Sequence, residues 1–222
     1  MRLGVKFSRH GMARFVSHLD MQRMFSRAIR RSGIPAAFTQ GFNPHITLSF
    51  ASAMPVGLET EGDYLEFGLG AEIAPEECQS RLAAAVPQGI GIVKAGLLPE
   101  GERKLMAALR WAEYSFSDKK QEDVLLRQIY AIMEMESCTA LKTRKGKSRE
   151  IDIRPLIRSV QAEDGLRLVL ALSGEQSLSP KLLLEKLSQL SGEAFSPDIT
   201  RTELYTEREG RLLPLEGLFQ AL

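Results

Sequence analysis

Histidine and arginine side chains are concentrated near the start of the chain, in the segment FSRHGMARFVSHLD. This segment contains Arg9, His10, Arg14 and His18, and Gly11 among them permits a sharp turn of the backbone. Arginine binds phosphate oxygens through paired hydrogen bonds, and histidine exchanges a proton near neutral pH. The segment predicts an anion site, with solvated charges and hydrogen-bonded structural histidines as the alternative.

A second group of polar and aromatic residues follows in TQGFNPHITLSFASAMPVG. Asn43 precedes Pro44 and is therefore kept out of the α region, which predicts a shaped loop. Phe42 could stack on a nucleobase, Asn43 could form hydrogen bonds and His45 could transfer a proton. The alternative is a structural turn with Phe42 packed into the core.

Two further groups of basic residues complete the predicted nucleic-acid surface. The first lies on the polar face of an early helix, and the second surrounds Gly146 at an expected hairpin tip. For the second group the alternative is that basic residues at an exposed hairpin tip only keep the protein soluble. The residues of these groups are Arg23, Arg27, Arg30 and Arg31, and then Lys142, Arg144, Lys145, Lys147 and Arg149.

The charge is unevenly distributed along the 222 residues, although the net charge is only +1. Residues 1–50 carry +7, residues 51–100 carry −6, residues 101–150 carry +3 and residues 151–222 carry −3. The basic first quarter favours a polyanionic partner such as RNA. The alternative is a basic helix neutralised by an acidic loop of the same domain.

The histidines leave open whether the protein is an enzyme. His10, His18 and His45 are the candidates for a metal-independent ribonuclease, in which histidine removes a 2′-OH proton and arginine stabilises the developing charge. Their spacing matches no familiar zinc motif, so we expect no metal site. No Ser/His/Asp signature, P-loop or dinucleotide fingerprint is present.

The hydrophobic periodicity predicts an α+β protein of two tandem ferredoxin-like (βαββαβ) units, the second with extra strands. The units are expected at residues 1–104 and 105–222, with one continuous α+β domain as the alternative. Strands are predicted at 2–9, 36–39, 62–70, 89–97, 112–118, 138–143, 150–157 and 199–207, with a hairpin over 159–172 that turns at Asp164-Gly165. Helices are predicted between Ser17 and Gly33 and over 75–86, 120–136 and 180–190.

Composition excludes several classes of protein. Only two cysteines are present, Cys78 and Cys138, so a disulfide framework and an iron–sulfur cluster held by this chain are excluded. No apolar run is long enough for a membrane helix, and the first residues lack the apolar core of a signal peptide. We expect a cytoplasmic protein.

The sequence from Lys6 to Phe67 resembles the radical SAM-linked proteins, a bacterial family of undefined biochemical activity. The similarity rests on SHLD (Ser17–Asp20), RAIRR (Arg27–Arg31) and GFNPH (Gly41–His45). Members commonly carry a proline after this histidine, where this chain has Ile46. Beyond residue 70 the similarity is one of length and pattern.

The resemblance implies a partner. Family members stand beside, or are fused to, cobalamin-binding radical SAM proteins, so the partner would carry the iron–sulfur cluster, S-adenosylmethionine and cobalamin, and this chain would carry no cofactor. We therefore expect an accessory protein that binds RNA and presents it to the radical SAM enzyme in RNA modification or maturation. One alternative is a structural partner without RNA affinity. The other is the metal-independent endoribonuclease, by analogy with CRISPR repeat-processing enzymes built of tandem ferredoxin-like units.

Overall fold

The computed structural model describes residues 1–118, 121–144, 146–163 and 165–220, without the side chain of Arg144. The strands are β1 (Arg2–Arg9), β2 (Leu48–Phe50), β3 (Glu59–Gly68), β4 (Ile90–Leu98), β5 (Trp111–Ser117), β6 (Thr139–Arg144), β7 (Lys147–Asp152), β8 (Ile157–Gln161), β9 (Leu166–Ala171), β10 (Asp198–Arg208) and β11 (Arg211–Pro214). The α-helices are α1 (His18–Arg31), α2 (Pro75–Ala85), α3 (Leu105–Ala108), α4 (Glu122–Glu134) and α5 (Pro180–Ser191). The predicted α+β class is confirmed.

The chain forms two compact units. The first contains Met1–Leu109 and Glu203–Leu222, and the second contains Arg110–Thr202. The sequence divides the chain between residues 104 and 105, whereas in the structure the C-terminal residues join the first unit. No helix among the described residues is long and apolar enough to cross a membrane.

The sheet of the first unit is built around β1. β1 pairs antiparallel with both β3 and β4, and β2 pairs antiparallel with β3. The period-two pattern of β1 places Leu3, Val5 and Phe7 on the buried side. α1 covers this side with Phe25, whose ring lies 4.9 Å from that of Phe7. The sheet therefore fixes which face of α1 is buried and which is exposed.

A half-buried charged cluster joins the C-terminal residues to this sheet. Lys6 Nζ lies 2.6 Å from Glu203 Oε2 and 3.2 Å from Glu216 Oε2. The Tyr64 hydroxyl donates to Glu203 Oε1 at 2.6 Å. Burial alone would lower the pKa of Lys6, but hydrogen bonds and charge from Glu203 and Glu216 raise it. The pKa of Tyr64 is raised by burial and by the Glu203 charge.

Phe219 occupies a slot between two glycines of the same sheet. Gly4 of β1 pairs with Gly96 of β4, and the Phe219 ring lies against both. A β-carbon at Gly96 would lie 2.6 Å from the β-carbon of Phe219, closer than real contacts allow. Gln220 N–H donates to the Leu97 carbonyl at 2.8 Å. Because Gly4 and Gly96 have no side chains, the C-terminal segment can pack against the sheet at this point.

The second unit contains a separate two-stranded hairpin, β6–β7. Its main strands run in the order β5-β9-β8, with antiparallel pairing throughout, and β10 lies beside β5. The sequence predicts a strand over 150–157, but β7 ends at Asp152. The Asp152 carboxylate accepts from the backbone N–H of Arg154 at 3.0 Å, and Pro155 sits in the short 3-10 turn that follows, so the strand is interrupted.

Most other predicted elements are confirmed to within a few residues. The strand predicted over 36–39 is wrong, because Ala36 and Phe38 form single bridges to two different segments and make no ladder. Of the hairpin turn predicted at Asp164-Gly165, Asp164 lies outside the described residues. Residue 120, the first residue of the helix predicted over 120–136, also lies outside the described residues. The ferredoxin-like arrangement of each unit stays a prediction.

Candidate nucleic-acid interface

The exposed face of α1 carries the arginines of the site. Ser17 caps the helix by accepting from the Asp20 N–H at 3.2 Å. Met21, Phe25, Ala28 and Ile29 turn inward at helical spacing. Three arginines on the exposed side follow the same periodicity: Arg23, Arg27 and Arg30. A helix rises 1.5 Å per residue, so these three positions span about 10 Å along its axis.

The GFNPH loop lies opposite α1 and is closed at its base by Thr39 and His45. Thr39 N–H donates to the His45 carbonyl at 2.8 Å, and His45 N–H donates to Thr39 Oγ1 at 3.1 Å. The Nδ1 atom of His45 lies 3.1 Å from Thr39 Oγ1 and 3.3 Å from the carbonyl oxygen of Asn43. These contacts fix the imidazole position.

Helix and loop together enclose a shallow groove of ≈ 330 Å³. The residues that line it are Leu19, Gln22, Arg23, Ser26, Arg27, Arg30, His45 and Ile46. Three guanidinium groups, one imidazole and neutral polar groups are therefore brought to one surface of the first unit. This composition suits phosphate oxygens and ribose hydroxyls.

The three arginines of the groove differ in their partners. Arg23 pairs with Asp20 at 2.9 Å. The Arg30 guanidinium lies 5.6 Å from the centre of the Phe38 ring. Among the described residues, no carboxylate lies within ion-pair distance of Arg27. Arg27 is therefore the cation of the groove most available to an anionic ligand.

Asp20 is the one acidic residue of α1. It accepts a hydrogen bond from the Ser17 hydroxyl at 2.7 Å in addition to its contact with Arg23. These two partners lower the pKa of Asp20, the Ser17 hydroxyl more than Arg23. Asp20 is thus an ionised competitor for any phosphate that approaches Arg23.

Arg31 lies outside the groove. Its guanidinium donates to the carbonyl of Ala85, at the end of α2, at 2.7 Å. A second shallow groove of ≈ 350 Å³ lies on this side, and Arg31 shares its lining with Arg23 and Arg27. Arg31 can serve both as a link between the two helices and as a flanking cation.

Arg9 has a structural position that differs from its predicted role. Only 1% of its surface is exposed, and its guanidinium donates to the carbonyl oxygens of Val16, Pro55 and Leu58 at 2.8–3.2 Å. A nucleic acid on the surface does not reach this side chain. The sequence pattern of β1 already indicated that Arg9 is buried, since residue 9 follows residues 3, 5 and 7 on the inward side of the strand.

His10 and Arg14 lie together at a cluster with acidic residues. His10 approaches Glu59 at 3.5 Å and Glu61 at 3.4 Å, and Arg14 pairs with Glu59 at 3.2 Å. The backbone N–H of Gly11, followed by His10 and Arg14, lowers the pKa of Glu59. The acidic residues that neutralise this segment leave it less suited to an anion than the α1 groove.

His18 and the residues at the tip of the GFNPH loop have opposite surroundings. His18 is half-buried, and its ring meets the ring of Phe50 edge-on at 5.1 Å. Phe42 is fully exposed, at 106%, and Asn43 is also exposed. The alternative in which Phe42 packs into the core is therefore wrong.

The β6–β7 hairpin provides a separate basic surface in the second unit. In its register Lys142 faces Arg149 and Arg144 faces Lys147. Lys142 donates to the Ser177 carbonyl and hydroxyl at 2.7 and 2.9 Å, whereas Lys147 and Arg149 are exposed. Lys145 and the side chain of Arg144 lie outside the described part of the chain. Like charges placed opposite each other destabilise a hairpin unless an anion lies between them.

Residues 2–183 match the family described as "Uncharacterized protein conserved in bacteria (DUF2344)". The chain belongs to this family. The DUF2344 match includes α1, the GFNPH loop and the β6–β7 hairpin, and it ends within α5. No curated protein matches the chain.

The structure of this DUF2344 protein brings together only part of the predicted site. Arg23, Arg27, Arg30 and His45 share one groove, whereas His10 and His18 do not line it. Sequence reasoning missed Thr39, which no pattern indicated, and also Gln22 and Ser26. Helical periodicity places Ser26 four residues after Gln22, three after Arg23 and four before Arg30, on the same face. No group of three or more metal-ligating side chains is found among the described residues.

Proposed function

We propose that this protein is an accessory RNA-binding protein that presents RNA to a radical SAM enzyme, or assembles with it, in RNA modification or maturation. The observation that carries the RNA part is the α1 groove, in which three arginines and His45 surround one exposed surface. The radical SAM part rests on the resemblance of the segments SHLD, RAIRR and GFNPH.

The charge pattern of the first unit supports the groove as the RNA contact. Several cations elsewhere in this unit have intramolecular partners, such as Arg9 with its three carbonyls and Lys6 with its two glutamates. In the groove, by contrast, Arg27 extends into solvent. Lys147 and Arg149 of the hairpin would add phosphate contacts in the second unit.

We also propose that each unit is ferredoxin-like. In the first unit the strand order β4-β1-β3 with β2 on β3, and in the second the order β10-β5-β9-β8, support the βαββαβ arrangement. The β6–β7 hairpin would supply the extra strands. An experimental structure with four antiparallel strands in this order in each unit is the test.

The RNA part is tested by charge reversal in the groove. A variant with Arg23, Arg27 and Arg30 changed to Glu is compared with one in which Arg103, Lys104 and Lys181 are changed to Glu, so that both variants have the same net charge. We expect the groove variant to lose salt-sensitive RNA binding and the control to retain most of it. Equal binding by both variants would remove the groove from the proposal.

The partner is tested by copurification from native cells, with identification of the bound protein and RNA. Recovery of a radical SAM protein together with RNA supports the proposal. Recovery of the protein without RNA, and without RNA affinity in the purified chain, would favour a purely structural partner. The nuclease alternative would be favoured if the purified chain cleaves RNA in EDTA and if changing His10, His18 or His45 to Ala abolishes cleavage.

A further inference from the structure

Phe42 is the most exposed large apolar side chain among the described residues. Burial of a phenylalanine side chain removes apolar surface from water and stabilises a fold, and this contribution is absent at residue 42. Phe38 is also half-exposed, but it packs against Arg30. Phe42 therefore contributes little to the fold and is available to a ligand.

The loop that carries Phe42 is held in a defined shape. Three hydrogen bonds join Thr39 and His45 at its base, and Pro44 restricts the backbone directly after Asn43. Because the loop is already ordered, a ligand that binds Phe42 loses little free energy to loop ordering. An aromatic ring on a preordered loop is a suitable platform for stacking.

The chain also limits how far Phe42 can lie from the groove. His45 lines the groove, and Phe42 precedes it by three residues. Consecutive α-carbons are about 3.8 Å apart, so the α-carbons of Phe42 and His45 lie within about 11 Å of each other. Stacked nucleotides rise about 3.4 Å each, so this distance corresponds to roughly three nucleotides. One strand can thus contact the groove and Phe42 together.

We infer that the groove binds single-stranded RNA and that Phe42 binds it by stacking on an unpaired base next to the phosphates held by Arg23, Arg27 and Arg30. This inference rests on the proposed function and specifies its substrate class. In a duplex the faces of the bases are covered by their neighbours, so an aromatic loop residue stacks only where the base is unpaired. Stacking on an aromatic side chain tolerates any base, and arginine–phosphate contacts carry no sequence information.

The test measures fluorescence anisotropy of a labelled, unstructured RNA of about 12 nucleotides and of a duplex of the same length. We expect the single strand to bind at least about tenfold more tightly than the duplex. Phe42→Ala should weaken single-strand binding about tenfold or more, and Phe42→Trp should retain it. Phe42→Leu should resemble Phe42→Ala, because leucine is apolar but cannot stack.

Controls separate stacking from charge and from damage to the fold. Phe42→Ala should leave the salt dependence of binding unchanged, whereas Arg27→Glu should reduce it. Met12→Ala removes another exposed apolar side chain of the first unit, 81% exposed, and should leave binding unchanged. Because the side chain of Phe42 is exposed, its variants should unfold at the same urea concentration as the parent protein.

The outcomes distinguish this inference from the proposed function. If RNA binds but Phe42→Ala has the affinity of the parent, or if the duplex binds more tightly, single-strand stacking is refuted and the groove stands. If Phe42→Leu binds like Phe42→Trp, the contact is apolar and stacking is refuted. If neither RNA binds at low salt, the proposed RNA function itself fails.

Discussion

Arg9 and Arg27 are two arginines of the same unit with opposite surroundings. Arg9 is buried, and its guanidinium donates to three backbone carbonyls. Arg27 is exposed on α1, with no carboxylate in ion-pair distance among the described residues. A buried charge must be satisfied from within the protein, because its desolvation is costly. An exposed charge requires no such partner and remains available to a ligand.

Of the changes that test this comparison, replacement of Arg9 should have the largest effect on the free energy of unfolding. Arg9→Met leaves three carbonyls without their donor, so we expect a loss of about 3–5 kcal/mol in the free energy of unfolding. Arg27→Met should change it by less than about 0.5 kcal/mol. Urea unfolding of both variants measures the difference. Similar losses in the two would show that Arg9 has no special structural role.

The next effect concerns the half-buried cluster around Lys6 and is measured as a function of pH. The folded pKa values of Lys6 and Tyr64 are both raised, so the stability they contribute is present below pH about 10 and is lost as pH rises further. Tyr64→Phe should cost about 1.5–3 kcal/mol at pH 8, because a hydrogen bond to the charged Glu203 is lost. This difference from the parent protein should shrink above pH 10. Urea unfolding between pH 8 and 11 checks it, and a constant difference would contradict the assignment.

A smaller effect is expected from Arg27 itself, in binding rather than in folding. Arg27→Glu should lower the affinity for single-stranded RNA about tenfold and reduce the slope of log affinity against log salt by about 0.7, the value for one phosphate contact. Arg103→Glu is the matched control in the same unit. Anisotropy titrations at several salt concentrations measure both variants. Identical slopes for the two would show that Arg27 makes no phosphate contact.

The smallest effect is expected from a change of Asp20, which tests whether its ion pair with Arg23 limits RNA binding by that arginine. Asp20→Asn releases Arg23 from its ion pair, so we expect RNA affinity to rise about threefold. The helix should lose a little stability, because an anion at its N-terminus is removed. RNA titration and thermal unfolding measure the two changes. A fall in affinity would show that Asp20 orients Arg23 for binding.

Local sequence signals were sufficient to predict the elements that present the groove. Period-two alternation located β1, and Ser17 together with the apolar stripe located α1 and its exposed arginines. These signals act within a few residues of the chain. They also indicated that Arg9 is buried, since its position in the alternation of β1 is on the inward side.

Contacts between distant residues were beyond the reach of these signals. The approach of His45 to α1, the link between Thr39 and His45, and the neutralisation of His10 by Glu59 and Glu61 depend on how separate segments pack. The hydrogen bond from Lys142 to Ser177 also depends on how separate segments pack. For Phe42 the sequence offered both a buried and an exposed position, and only the packed structure decides between them.

The seat of Phe219 on Gly4 and Gly96 has a consequence for the biosynthesis of the protein. A growing chain leaves the ribosome from its N-terminus, so β1 and β4 are made well before residue 219. The first unit therefore cannot complete its packing until nearly all of the described chain has been synthesised. A gene fragment that stops at residue 109 would yield a sheet with an empty apolar furrow, which we expect to be prone to aggregation.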